Sequence, residues 1–511
     1  METEIELKFF VSPDITESLY TFLENGSSLG HKVLQQRCRM LGNVYFDTPD
    51  HLLRQHDIGL RVRRYDDVYV QTVKTAGRVV AGLHQRPEYN AELDDATPDL
   101  SLVDATAWPE DLDIDALAQQ ISPLFSTDFE RQQWLLGMPD GSQIEVALDQ
   151  GQVTSGDLSD PICELELELK SGQTDALFTL AREFCQLGAM RLGNLSKAAR
   201  GYRLATNYQG DAIYELPSIA LTDSTAIEET FVRNIEAALE HWHHHEQIYT
   251  ERFEHQALEQ ISQAICFIRQ QLAVFGEVIP RRASAILRQE FEWLEGELSW
   301  LQQANQIDFL LEDRASVLRK LNAHKQLQDI LAEYAANELP SQEEMLALLN
   351  SSRYCGLLLD LSRWLLSRGW QPFLDDKARQ RLASPVKPFA DEALTQAWHT
   401  LRAQFGEEIV LDRNGYQQQA RLLSRNLLTG VAFADLYDSK WRQVFRDPWR
   451  DLLLGVEEIS IIDLLNEHKR DLEEEDCLQF EKWIERKESY LLYAMEQTRA
   501  MALSMEPYWE H

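Results

Sequence analysis

The sequence predicts an α+β chain in two parts, an antiparallel β-region followed by an all-α helical bundle. Three observations predict it. Apolar and polar residues alternate with period two up to about residue 205. After residue 223 the apolar period becomes that of a helix. The stretch between them, TNYQGDAIYELPSIALTD, carries no clean period. The expected domains are therefore 1–205, a linker over 206–222, and a helical domain over 223–511.

In the first part, the runs at 2–10, 43–48, 59–64, 69–76, 86–93, 143–149 and 162–169 read as strands. Turn residues punctuate them: TPD at 48–50, DD at 66–67 and PDG at 139–141. One flanking helix is expected to start near Ser12–Pro13 and another after Gly172. In the second part, Leu287, Phe291, Leu294, Leu298 and Leu301 step by four and three, one stripe of a helix. Similar stripes fill 226–274, 314–335, 355–368, 391–405, 415–438 and 457–500. Long antiparallel helices follow.

Of 511 residues, 44% are hydrophobic and 12 are Trp, enough for sizeable cores. With 84 acids against 49 bases, the net charge is -35. That disfavours general binding to nucleic acid or to anionic membranes, which want basic surface, and leaves room for a local basic pocket. The start, METEIELK, has no signal-peptide pattern. No stretch approaches the ~18 apolar residues of a membrane span. The six cysteines are scattered, without a CxxC pair, and read as reduced thiols. A cytoplasmic protein is expected.

Alternation places side chains two apart on one face. Glu4, Glu6 and Lys8 share a face, as do Glu164, Glu166 and Glu168. Arg61 and Arg63 share another, Glu145 and Asp149 another, and Arg86, Glu88 and Asn90 another. For one strand, a solvated outer face explains this. Across the strands the charges are sorted: glutamates on the first and last, arginine and lysine between. Glutamates two apart lie ~7 Å apart. At an effective dielectric near 20, each like pair costs roughly 2 kcal/mol. Enclosed carboxylates would need cations, and hard Mg²⁺ or Mn²⁺ suits carboxylate oxygen. The basic strands then need an anion, and a polyphosphate fits both. Residues 54–91 hold seven bases and four acids, a basic island in an acidic chain.

Eight motifs occur in order: EIELK, GLRVR, QTVK, RPE, DFERQQW, IEVALD, ELELEL and LSKAARGY. Together they resemble the CYTH superfamily, the triphosphate tunnel metalloenzymes, over residues 1–205. The helical remainder resembles a CHAD domain, and the pairing resembles the bacterial CYTH–CHAD inorganic triphosphatases. The resemblance implies an eight-stranded antiparallel barrel forming a tunnel with a charged lumen. It implies metal ligation by Glu4, Glu6, Glu88, Asp149, Glu164 and Glu166. It implies triphosphate binding by Lys8, Arg61, Arg63, Lys74, Arg131 and Lys197, with Arg54 a further candidate. Glu4, Glu6 and Lys197 are the catalytic expectation, and Mg²⁺ or Mn²⁺ the cofactor. One departure is Gln133, where the family commonly carries a second basic residue two after Arg131.

The activity implied is metal-dependent hydrolysis of inorganic triphosphate to diphosphate and phosphate. Hydrolysis or cyclisation of an organic triphosphate (thiamine triphosphate, ATP) is the alternative within the fold. A non-catalytic polyphosphate-binding module is the alternative outside it. The helical half is acidic and keeps only Arg269 of the usual basic series on its ALEQISQAICFIRQQLAVF segment, so long-chain polyphosphate is not its expected partner. Glu2 is expected at the mouth of the tunnel, and Glu168 and Lys170 at the outer end of their strand without a direct role. His56 and His84 are expected to be structural or on the surface. HWHHHEQ at 241–247 is expected to be a solvated or interfacial helix end, not a metal site.

Overall fold

The computed structural model describes residues 2–25, 29–80, 82–312, 318–469, 472 and 474–510. The side chain of Glu2 lies outside the described residues. In chain order the first part holds β1 (Glu2–Val11), α1 (Ile15–Asn25), β2 (Lys32–Asp47), α2 (Leu52–Gln55), β3 (Gly59–Tyr65), β4 (Val68–Lys74), β5 (Arg78–Val80) and β6 (Leu83–Leu93). Then come α3 (Ile114–Gln120), β7 (Ser122–Gly137), β8 (Gln143–Ser155), β9 (Leu158–Ser171), α4 (Thr174–Phe184), β10 (Met190–Leu192) and α5 (Lys197–Ala205). The helical part holds α6 (Ile227–Arg252), α7 (His255–Val274), α8 (Ala285–Glu297), α9 (Leu301–Leu311), α10 (His324–Glu338), α11 (Gln342–Leu349) and α12 (Ser352–Leu366). It ends with α13 (Asp376–Leu382), α14 (Val386–Phe405), α15 (Arg413–Ala432), α16 (Ser439–His468) and α17 (Glu474–Ser504).

The chain divides into two compact units, Met1–Asp211 with Met345–Ser367, and Ala212–Glu344 with Arg368–His511. In the first unit the strands close in the order β1–β9–β8–β7–β2–β3–β4–β6 and back to β1. Every pairing is antiparallel. The expected eight-stranded barrel is therefore present, with β5 and β10 as short additions beside β6 and β1. The β3–β4 turn places Asp66 at φ 52, the left-handed backbone that a tight hairpin needs and Asp tolerates.

The barrel is apolar outside and charged inside. Leu7, Phe9, Leu165 and Leu167 point outward and are fully buried beneath the helices that cover β1 and β9, chiefly α4. Each contributes about 2 kcal/mol through burial. Leu60, Val62 and Val73 pack outward against Leu53, Leu100 and Leu117. The alternating strand pattern is thus satisfied on both faces, because helices clothe the outside.

Helix α12, far along the chain, belongs to this unit and packs on α4 and β10. The Met190 N–H donates to the Asn350 carbonyl at 3.1 Å. Arg363 grips Asp175 with two bonds of 2.6 and 2.7 Å.

In the second unit the stripe expected over 226–274 is two helices, broken at Phe253, whose φ of 57 reverses the chain. Residues 241–247 lie inside α6, and the solvated reading gives way to burial: His241 and His245 are 1% and 0% exposed. The Tyr214 ring covers His241, His244 and His245 at centroid distances of 5.2, 4.7 and 5.0 Å. A core of Ile307, Leu310, Leu327, Leu331, Ile462 and Phe480 joins α9, α10, α16 and α17. Among the described residues no helix is long and apolar enough to cross a membrane.

Candidate active site

The barrel encloses a cavity of about 580 Å³. Strand register decides which side chains meet inside it. Glu6 is the cross-strand partner of Glu168, and Glu168 of Glu145. Lys8 is partnered with Glu166, and Arg131 with Asp149. On the other side Tyr45 is partnered with Arg61, Asn43 with Arg63, and Lys74 with Glu88.

The acids lie on β1, β6, β8 and β9, and most are held by cations. Lys74 pairs with Glu4 and, at 3.1 Å, with Glu88. Burial disfavours the Glu88 charge, yet Lys74 and Arg61 outweigh it and bring Glu88 down to about 2. Lys8 lies 3.0 Å from Glu6 and 3.6 Å from Glu166. Burial opposes its charge too, but Glu6, Glu166 and Glu4 hold the ammonium protonated well above the ordinary lysine range.

Deeper lies a sealed network. Arg131 forks onto Asp149 at 2.7 and 2.6 Å and reaches Glu166 at 2.6 Å. Lys197 lies 2.7 Å from Asp149, 2.7 Å from Glu164 and 2.9 Å from Glu166. Arg200 joins Glu164 at 2.8 Å and Asp160 at 2.7 Å. Lys197 and Arg200 are one helical turn apart at the start of α5, capped by Ser196, whose side chain accepts from the Ala199 N–H. That cap fixes the angle at which Lys197 enters the barrel.

Two features of the lumen are not neutralised. Among the described residues Glu168 pairs only with Lys170, at 2.7 Å, and Lys170 is exposed. Burial raises Glu168, Lys170 opposes the rise, and Glu4 and Glu145 add to it, leaving its pKa near 7. Opposite stand Arg61 and Arg63, neither in an ion pair with a carboxylate among the described residues. The Arg61 Nε is buried without a hydrogen-bond partner. Arg63 Nε donates to Asn43 Oδ1 at 2.8 Å. Burial, then Arg61 and Arg131, push Arg63 down to about 9. An arginine keeps its proton at that cost, so the pair holds unspent positive potential. Tyr45 stacks on Phe125 at 4.6 Å and its hydroxyl meets Arg61. Burial raises the phenol, but Arg61, Arg63 and Lys197 outweigh that and lower its pKa.

Of the expected site residues, Glu4, Glu6, Lys8, Arg54, Arg61, Arg63, Lys74, Glu88, Arg131, Glu166 and Lys197 line the cavity. Asp149 and Glu164 do not line it; they lie behind Arg131, Lys197 and Arg200, 0% and 2% exposed. Glu145, Glu168, Tyr45 and His84 line it as well. Glu168 thus sits in the lumen beside Glu6, not beyond it. Strand parity alone put Glu145 and Glu168 on the charged face; the β1–β9 register brings them to Glu6. His84 is 5% exposed, opposite Glu6 across β1 and β6. Burial, then Lys8 and Arg86, depress it to about 3, so it stays neutral.

Among the described residues no group of three or more His, Cys, Asp or Glu is arranged to hold a metal ion. The carboxylates are turned onto lysines and arginines instead. The donor set still fits a hard cation, being carboxylate oxygen throughout, and the under-compensated Glu168 marks where extra positive charge is wanted.

Residues 2–202 match the CYTH domain family and residues 233–459 the CHAD domain family. An inorganic triphosphatase of Haemophilus influenzae is 41% identical over 207 residues, 40% of this chain and 56% of that protein. The chain therefore spans little more than half the length of that curated relative. Among solved structures, the CHAD domain of Ricinus communis is 20% identical, covering 58% of this chain and 98% of its own, with a TM-score of 0.44. A Hippeastrum protein described as having a dominant triphosphatase activity is 18% identical, covering 40% and 96%, with a TM-score of 0.30.

Proposed function

We propose that this chain, which carries a CYTH domain followed by a CHAD domain, hydrolyses inorganic triphosphate to diphosphate and phosphate inside the barrel. One observation carries the reading: among the described residues two lumenal arginines, Arg61 and Arg63, make no ion pair with a carboxylate, while Lys8, Arg131 and Lys197 are already paired. A small polyanion with several oxygens is what completes such a pair. The likeness to the Haemophilus inorganic triphosphatase supports the same substrate class.

In this reading Arg61 and Arg63 take oxygens of one end of the triphosphate, with the Tyr45 hydroxyl beside them. Lys8 and Lys197, already charged, stand ready for oxygens on the other side and stabilise charge that develops on the transferred phosphoryl group. Glu4, Glu6, Glu88 and Glu166, with Glu168, would hold Mg²⁺ or Mn²⁺, which supplies charge neutralisation on phosphate oxygens and activation of water. Asp149 and Glu164 act from behind, fixing Arg131 and Lys197. Water oxygen forms the new bond to the terminal phosphorus, the anhydride P–O bond breaks, and diphosphate leaves. The water proton passes to a carboxylate of the acidic wall.

The test is phosphate release from tripolyphosphate, thiamine triphosphate and ATP, each at the same Mg²⁺ concentration. Preference for tripolyphosphate supports the reading. Unchanged turnover in Glu6→Ala or Lys197→Ala would sink it.

A second reading, polyphosphate binding by the helical unit, is favoured by one cluster. Arg269 is depressed by burial and by Arg421, and Arg288 by burial, then Arg281 and Arg269. These arginines crowd one another on α7, α8, α15 and the turn before α8. Titration of the full chain with long-chain polyphosphate, before and after Arg288→Gln and Arg421→Gln, tests that reading.

A further inference from the structure

Arg61 and Arg63 are held from behind by groups without charge. Strand β2 places Tyr45 opposite Arg61 and Asn43 opposite Arg63, and β7 places Phe125 and Thr127 opposite those in turn. Cross-strand partners share a face, so two rungs result, Phe125–Tyr45–Arg61 and Thr127–Asn43–Arg63. In the first, the Tyr45 ring stacks on Phe125 and its hydroxyl meets Arg61. In the second, Asn43 Oδ1 accepts from Arg63 Nε at 2.8 Å, and Asn43 Nδ2 donates to Thr127 Oγ1 at 3.0 Å.

Chemistry fixes the sense of the Asn43 amide. A guanidinium only donates, so the amide oxygen must face Arg63. The amide nitrogen then faces Thr127, whose carbonyl oxygen, 3.4 Å away, only accepts. Asn43 and Thr127 are 1% and 0% exposed, so solvent does not compete for either. Among the described residues Nε is the one Arg63 nitrogen in a hydrogen bond, which leaves the terminal nitrogens of its fork for a ligand.

Arg131 shows the other way to hold a lumenal arginine. Its fork is closed onto Asp149 and Glu166. A carboxylate holds a guanidinium harder than an amide does, but it also consumes the charge. Position 43 has room for that solution, since aspartate has the size of asparagine. Arg63 is depressed by burial and by Arg61 and Arg131, and a carboxylate beside it would relieve that cost. Stability alone favours aspartate here, yet the chain carries the neutral amide.

We propose that Asn43 is a positioning residue for the hydrolysis, which aims the Arg63 guanidinium while leaving its charge for substrate phosphate oxygens. Its neutrality is the working property, and Thr127 sets its orientation. The inference rests on the tunnel being a triphosphate site and assigns a role to a side chain behind that site.

The experiment measures tripolyphosphate hydrolysis at fixed Mg²⁺, over a range of salt concentrations, together with thermal melting of the full chain. Asn43→Asp keeps the bond to Arg63 but neutralises it. Its KM should rise about tenfold or more, with a melting temperature equal to or above that of the wild type. The salt dependence of its KM should flatten, because one charge fewer attracts the polyanion. Asn43→Ala frees Arg63 without neutralising it. Its KM should rise only about threefold, its salt dependence should match the wild type, and its melting temperature should fall. A wild-type KM and salt dependence in Asn43→Asp overturns the proposal. So does a flattened salt dependence in Asn43→Ala, or a melting temperature lower in Asn43→Asp than in Asn43→Ala. A wild-type protein that neither binds nor hydrolyses tripolyphosphate would instead remove the reading on which the proposal stands.

Discussion

Tyr202 donates its hydroxyl to the Asp47 carboxylate at 2.7 Å, across the end of the barrel. Asp47 also accepts from the backbone N–H groups of Thr48, Leu53 and Arg54 at 2.7, 2.9 and 3.1 Å. One buried carboxylate thereby ties the helix that carries Lys197 to the short helix α2 that carries Arg54. Arg54 in turn lies 5.4 Å over the Tyr202 ring. Tyr202→Phe should cost about 1–2 kcal/mol of stability, since a buried acceptor loses a donor. It should also lower kcat on tripolyphosphate by loosening Lys197. Thermal melting and phosphate release, measured on the same variant, check both effects.

Arg61→Gln should act on substrate and not on the fold. Among the described residues Arg61 makes no ion pair, and Lys74 stays beside Glu88, so melting should move little. Losing a charge-assisted contact worth about 1.5–3 kcal/mol should lower kcat/KM by roughly 10–100-fold. A large drop in melting temperature with unchanged KM would contradict the role given to it.

Lys197→Met should do the opposite in the absence of ligand. It leaves Asp149, Glu164 and Glu166 short of a shared cation. Removing one partner of a buried ion pair costs about 3–5 kcal/mol. Urea unfolding of the variant should show that loss, together with loss of turnover.

Glu168 predicts a pH signature. Its pKa rises from 4.5 when unfolded to about 7 when folded, so the folded state binds the proton more tightly. Its contribution to stability is fully present below about 4.5 and is lost as the pH rises through 7, up to about 3 kcal/mol. Unfolding of Glu168→Gln should therefore fall less between pH 5 and 8 than that of the wild type. Divalent cation should stabilise the wild type more at pH 8 than at pH 5.

The alternation of ETEIELK and CELELELK made the faces legible, because strand parity needs only the local chain. Closure was not legible there: which glutamate meets which depends on register between strands distant in sequence. The meeting of Glu6, Glu168 and Glu145 is set by that register and has no signature in any one strand. The covering of Asp149 and Glu164 is not legible in their strands, because their partners Lys197 and Arg200 arrive from a helix dozens of residues away. The histidines of α6 read as polar, yet Tyr214 of the extended stretch covers them. The apolar stripe of α12 announced a buried face without naming what buries it.

The place of α12 has a consequence for how the chain comes to be folded. The β-barrel strands and α5 leave the ribosome long before residues 345–367, which belong to the same compact unit. At ordinary translation rates that interval is roughly 10–30 s. During it the α4 and β10 surface that α12 covers stays open to solvent, to chaperones and to other nascent chains. The barrel is early in sequence but late in completion, and nascent-chain protease protection of α4 should rise only after Ser367 has emerged.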